Sequence, residues 1–236
     1  MRRKLIALAT TACCMVAVFT VPVSAEQRPV VVELFTSQGC SSCPPADAML
    51  AQLQERDDVI CIALHVDYWD YIGWKDKFGD PAHAVRQRAY AHKAGRRSVY
   101  TPEMIVNGQT DIVGSKPMKL SKAIAEHKMQ PVEVDLDITR TDRTLVIDAK
   151  NLTDGLGEMS VQMLRLIPEE TTEITRGENT GKTIAYRNIA KDWTVLGTWD
   201  GTAPLRLETP ISGSSPVVVL IQSGTAGRIV AAAQLD

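Results

Sequence analysis

Two cysteines separated by two serines, Cys40 and Cys43, sit in residues 30–47, which read VVVELFTSQGCSSCPPAD. Such a pair can be a redox couple, half of a zinc site or a structural staple. A structural tetrahedral zinc site needs four ligands, and the rest of the chain beyond its amino-terminal segment offers only Cys61 and the scattered His65, His83, His92 and His127. As a staple the pair closes a very short loop, where the chain-entropy gain is smallest. Thiol chemistry is the preferred reading, with Cys40 as the attacking thiolate and Cys43 as the resolving thiol. Proline is tolerated in the first helical turn, so Pro44 and Pro45 set the helix start at about residue 44. Cys43 is then near the cap and Cys40 is an exposed nucleophile on the loop at the mouth. Free N–H groups and the helix dipole favour a thiolate there, and Ser41 and Ser42 add no positive charge.

Other side chains could assist. His65 and Asp67 leave the next apolar run at the end where the cysteines emerge. His65 could move a proton, could complete a copper or zinc site with Cys40 and Cys43, or could be a satisfied core histidine. The loop of residues 67–76 is dense in aromatics, with Tyr68, Trp69, Tyr71 and Trp74. It is either packing or an apolar wall that binds a partner, with Trp69 or Trp74 as the exposed lining. The glycine-bearing stretches 177–181 and 199–201 read as tight turns, and Glu169, Glu170 and Glu173 as a solvated acidic loop.

The elements that must position these groups follow from periodicity. Residues 29–36 and 59–66 are continuous apolar runs that suit parallel, buried strands joined by a helix over residues 44–55. A helix over 82–93, strands over 103–106 and 110–113 around Asn107-Gly108, and a helix over 119–128 complete a β-α-β-α-β-β-α order. That makes a four-stranded mixed sheet between helices. From residue 131 the pattern changes to alternation, as in Val132, Val134, Leu136 and Ile138. Short strands at 159–167, 183–189, 205–208, 217–222 and 227–235 suggest an antiparallel β-sandwich.

The order strand, CxxC at a helix start, strand, helix, Thr101-Pro102, strand, hairpin and helix resembles the thioredoxin fold. That resemblance implies a cis peptide bond before Pro102, opposite the cysteines, with the Thr101 backbone pairing a bound substrate segment. Glu33 resembles in position the buried acid behind the cysteines of thioredoxins, which would relay a proton to Cys43. Its bland alternative is a solvent-facing carboxylate at a strand end. Longer motifs, LFTSQGCSSCPPAD, HVDYWDYIGWKD, YTPEMIVNG, GENTGKTIAYRNI and LGTWDG, are similar to those of the secreted thioredoxin-like family called domain of unknown function 1223. The likeness covers nearly the whole chain beyond residue 25, and it implies a fold more firmly than an activity.

Residues 1–25 have a basic start at Arg2, Arg3 and Lys4, an apolar centre and small residues at Val23-Ser24-Ala25, the pattern of a cleaved secretory signal. Its removal takes three positive charges and moves the formal charge from −2 to −5, with Cys40, Cys43 and Cys61 left. The expected organisation is residues 1–25 as signal, 26–130 as a thioredoxin-like domain and 131–236 as a β-sandwich domain. The basic footprint of a nucleic-acid binder is missing, and no membrane span is expected after cleavage. In an oxidising periplasmic or secreted setting the pair is a disulfide unless reduced, and Cys61 is an inert buried thiol. The expected activity is thiol–disulfide oxidoreduction or isomerisation on protein thiols or disulfides, served by a redox partner protein and needing no cofactor. The alternatives are a copper- or zinc-binding accessory protein and a non-catalytic binding module.

Overall fold

Val30–Thr36 forms β1, a run of mainly β-branched and large apolar side chains buried along its whole length. The computed structural model describes residues 28–236, so the expected leader, residues 1–25, lies outside them. β1 pairs in parallel with β2 (Val59–His65) from Val30↔Val59 to Thr36↔His65. Parallel neighbours need a crossover, and α1 (Pro44–Leu53) supplies it, with proline at its start and Cys43 as its cap residue. α2 (Pro81–Lys93) begins at Asp80, whose side chain accepts the Ala82 N–H. β3 (Glu103–Val106) runs antiparallel to β1 and pairs with β4 (Thr110–Val113). Asn107 and Gly108 make the turn at φ 46° and 67°, and α3 (Pro117–Lys128) follows. These four strands lie in the order β2-β1-β3-β4 and make the expected mixed sheet.

That unit is half of a larger sheet. Eight strands run in the order β11-β10-β7-β8-β2-β1-β3-β4, where β7 is Met159–Glu173, β8 Thr183–Trp199, β10 Val217–Ser223 and β11 Ile229–Leu235. β8 joins the first half by meeting β2 in parallel at Ala63↔Ile189. A separate three-stranded sheet, β5-β6-β9, is built from Val134–Thr141, Thr144–Asn151 and Leu205–Pro210. Its Ile138, Leu145 and Ile147 pack on Val161, Val219 and Ile221 of the large sheet. The second half therefore has two facing antiparallel layers, one of them continuous with the first-half sheet. Leu164, Leu166, Val218 and Leu220 share a core with Phe35, Ile62 and Leu64.

β7 and β8 outrun the expected strands, which stopped at residues 167 and 189. Pro168, which has no N–H to donate, does not end β7. It falls between the paired positions Ile167↔Ile189 and Glu169↔Arg187, and the ladder resumes beyond it. The acidic group expected in a loop is part of β7. Glu169 pairs with Arg187 and Glu170 with Lys77, each at 2.9 Å, and such exposed pairs add little stability. The extra length carries the tip of the hairpin, residues 174–182, back over the first half.

Alternation divides β1 between two cores. Val30, Val32 and Leu34 pack with Ala46 and Leu50 of α1, while Val31 and Phe35 face Tyr90 of α2. Glu33 shares this second face and is fully buried. It accepts hydrogen bonds from Arg86 Nε and Tyr90 OH, both at 2.6 Å. Arg86 also donates to Gln222 of β10 at 3.0 Å, so one buried polar network ties β1, α2 and β10 together. Removing one partner of a buried pair strands the other charge. Replacing Arg86 with Met is expected to cost about 3–5 kcal/mol, read as a lower denaturation midpoint; a change under about 1 kcal/mol would show that the pair carries no such weight.

Candidate functional site around the Cys40–Cys43 disulfide

Cys40 and Cys43 are joined in a disulfide at the start of α1. The loop leading in is held by its own backbone: Cys40 N–H donates to Ser37 O and Cys43 N–H to Cys40 O, each at 3.2 Å. Cys40 is 1 % exposed and Cys43 0 %, while Ser41 and Ser42 face solvent. The expectation of an exposed Cys40 is thus corrected, because a hairpin from the second half of the chain and the aromatic loop of the first both close on it.

The tip of the β7–β8 hairpin sits on the cysteine loop. Asn179, itself 1 % exposed, donates from Nδ2 to the carbonyls of Gln38 and Cys40, both at 2.9 Å. Its Oδ1 accepts from Lys182 Nζ at 2.8 Å. Glu178 Oε2 accepts the N–H of Ser41 at 3.2 Å. Gly177 has φ +77°, and a Cβ there would lie 3.2 Å from the Cβ of Trp74, so the chain can turn here only with glycine. The stretch expected to be a plain turn is therefore part of the site. Polar residues in a glycine-rich turn were the only signal available, and nothing in their spacing pointed to residue 40.

The aromatic loop closes the other sides. Trp74 Nε1 donates to Gln38 Oε1 at 2.9 Å, Gln38 Nε2 to Thr172 Oγ1 at 3.1 Å, and Trp69 Nε1 to Thr101 Oγ1 at 2.7 Å. Both tryptophans are half-buried and spend their N–H groups inside the site. Tyr68 donates to Gln87 Oε1 at 3.0 Å. The exposed aromatic is Tyr71, 81 % accessible and stacked on Trp69 with ring centroids 6.4 Å apart. The Thr101–Pro102 bond is cis, and the Thr101 carbonyl lies 3.5 Å from Ser42 Oγ, which places this strand entry beside the cysteines.

Beneath the disulfide is a group of buried polar side chains. Asp47, one helical turn on from Cys43 and on the same side of α1, accepts the Thr36 hydroxyl at 2.8 Å. Burial pushes its carboxyl up to about 7 against the pull of His65 and Thr36. His65 is fully buried, with Nδ1 donating to Asp76 Oδ2 at 2.7 Å. Burial pushes the Asp76 carboxyl up, but His65 and the N–H groups of Gln38 and Phe78 bring it below its ordinary value. His65 Nε2 and Asp47 Oδ2 have no hydrogen-bond partner among the described residues. Asp47, the acid behind the cysteines, was missed because its carboxylate so early in a helix reads as a solvated first-turn charge. Glu33, expected in that role or facing solvent, instead serves the opposite face of β1.

Cys61 is buried, and that burial pushes its thiol up to about 12, as an inert thiol requires. Of the donors proposed for copper or zinc, the sulfurs of Cys40 and Cys43 are bonded to each other here, and His65, with Nδ1 on Asp76, keeps Nε2 without a partner; among the described residues no three His, Cys, Asp or Glu side chains converge on a metal position. No helix of the described residues is long and apolar enough to cross a membrane.

The titration of Asp47 has a sign that can be measured. Its carboxyl is raised from 3.8 to about 7 in the folded state, so between these values the folded chain holds a proton that the unfolded chain releases. Stability therefore falls as pH rises through this window, by up to about 4 kcal/mol. Asp47→Asn is expected to flatten that fall and to be more stable than wild type at about pH 8, as read by denaturant midpoints; equal pH profiles for the two proteins would contradict it.

An Agrobacterium tumefaciens protein solved by X-ray crystallography is similar, with 31 % identity and a TM-score of 0.76 over 89 % of this chain and 95 % of that one. HBP35 of Porphyromonas gingivalis, at 16 % identity and a TM-score of 0.61 over 89 % of this chain and 75 % of that one, is similar in fold alone. No curated protein matches the chain. A profile of one family matches residues 31–222, and the chain belongs to that family, described as "Protein of unknown function (DUF1223)".

Proposed function

We propose that this protein is an exported thiol–disulfide oxidoreductase or isomerase that acts on protein thiols through Cys40 and Cys43, on a thioredoxin-like first half. The observation that carries the reading is a Cys40–Cys43 disulfide at the start of α1 with the Thr101 carbonyl next to Ser42. The strand order β2-β1-β3-β4, with β1 and β2 parallel and β3 reversed, supports the fold assignment. A periplasmic or secreted location rests on residues 1–25 and on the paired cysteines.

In the reduced state the Cys40 thiolate attacks one sulfur of a substrate disulfide, forming a mixed disulfide and releasing the first substrate thiolate. Cys43 then gives up its proton and attacks Cys40 Sγ, which re-forms the Cys40–Cys43 bond and releases the second substrate thiolate. Two electrons pass to the substrate, and the reverse sequence oxidises a dithiol. Asp47, one turn from Cys43 and tuned toward neutrality, is the acceptor of the Cys43 proton. The Thr101 backbone and the Trp69–Tyr71 stack line the approach.

One observation favours a second reading, a non-catalytic binding module with a structural disulfide: Cys40 is only 1 % exposed. Trapping separates the two. Cys43→Ser, which lacks the resolving thiol, is expected to accumulate mixed disulfides with protein substrates, and Cys40→Ser to accumulate none. Wild-type protein that turns over no protein disulfide, with a trap mutant that captures nothing, would sink the redox reading.

A further inference from the structure

The β7–β8 tip does more than cover the disulfide, because it brings a charge to it. Ser41 lies between the two cysteines just before the start of α1, where N–H groups have no helical partner. Such N–H groups are what a protein can offer a Cys40 thiolate here, since the motif itself contains no basic residue. Glu178 takes the Ser41 N–H instead. Hydrogen bonding from the Ser41 side chain, and then from its N–H, holds the carboxyl below the ordinary range, so the group at the mouth of the pair is an anion at neutral pH. Packing does not explain Glu178, whose side chain is exposed, whereas its neighbour Asn179 is buried and fixes the loop.

We propose that Glu178 is a positioning residue that sets the balance between disulfide and dithiol: it occupies the Ser41 N–H and places a like charge beside the Cys40 thiolate, which disfavours the reduced pair. Other ionisable groups near the pair are Asp47 from α1, His65 from β2, Asp76 from the loop after β2 and Lys182 from the tip. Of these, Lys182 donates to Asn179 Oδ1 and His65 is hydrogen-bonded to Asp76. Glu178 is the charge placed on the backbone of the CxxC itself. The role rests on the exchange chemistry proposed above, but not on any particular substrate.

Glutathione is a sufficient probe. Its thiolate attacks Cys40 Sγ, the Cys40–Cys43 bond breaks and Cys43 takes up a proton. A second glutathione then displaces Cys40, leaving the protein dithiol and one glutathione disulfide, so two electrons and two protons are accounted for. In the full chain, Glu178→Gln keeps the size of the side chain and an acceptor oxygen but removes the charge. It is expected to shift the glutathione equilibrium toward the dithiol about two- to fivefold and to lower the pH at which Cys40 ionises, with both effects shrinking at high salt. Asn179→Ala, which loosens the loop without changing its charge, provides the contrast. An unchanged equilibrium in Glu178→Gln, a shift toward the disulfide, or a shift seen in Asn179→Ala alone would overturn the proposal, as would a pair that glutathione leaves oxidised in both wild type and Glu178→Gln. If Glu178→Gln shifts the equilibrium while wild type turns over no protein disulfide, the enzyme reading fails and the role of Glu178 stands; intact turnover with no shift removes the role alone.

Discussion

The carbonyl of Gln38 is buried where neither a strand nor a helix supplies a donor, and the side-chain amide of Asn179, from 141 residues further along, satisfies it and gives the Cys40 carbonyl a second donor beside the Cys43 N–H. Buried backbone oxygens left unpaired are costly. The far hairpin therefore supports the cysteine loop together with the loop's own backbone hydrogen bonds. The length of β7 and β8, the glycine at 177, and the seat that Trp74 and Ile72 give it are all conditions for that amide to arrive.

This dependence joins the two halves of the chain at the chemistry as well as in the sheet. β8 docks on the open edge of β2 at Ala63↔Ile189, and from there the hairpin can reach only the end of β1 and β2 from which Thr36 and His65 emerge. The same end collects Asp47, Asp76 and Tyr186. Burial, with the charges of Asp47 and Asp76 added to it, holds the Tyr186 hydroxyl well above its ordinary value. Of these the buried Asp47 carboxyl costs stability when ionised, and perturbed titratable groups cluster at functional sites.

Local signals were legible in the sequence because they are carried by local constraints. Two prolines fixed the start of α1, Asn107-Gly108 fixed a turn with positive φ at both residues, and β-branched runs marked β1 and β2. The burial of Cys40 was not legible, since residues 174–182 and the aromatic loop close around it through contacts that no periodicity encodes. The continuation of β7 was not legible either, because Pro168 has no N–H to donate and only the pairing Glu169↔Arg187 shows the ladder resuming beyond it. Glu33 misled because alternation along β1 was not tied to a helix: only the placement of α2 shows that its face is the one away from Cys43. Asp47 stood in plain view in PPAD, but a carboxylate in a first helical turn has so ordinary an explanation that its burial could not be foreseen.

The seating of the hairpin tip on the cysteine loop is tested most directly by amide hydrogen exchange on the oxidised protein, followed at Gly181 and Cys40, whose N–H groups donate to Ile174 O and Ser37 O. If the tip and the loop are one cooperative unit, the two amides open with the same free energy, and Asn179→Ala lowers both together. Fast exchange at Gly181 beside a still-protected Cys40, unchanged by Asn179→Ala, would show that the loop holds itself and that the hairpin is only a neighbour.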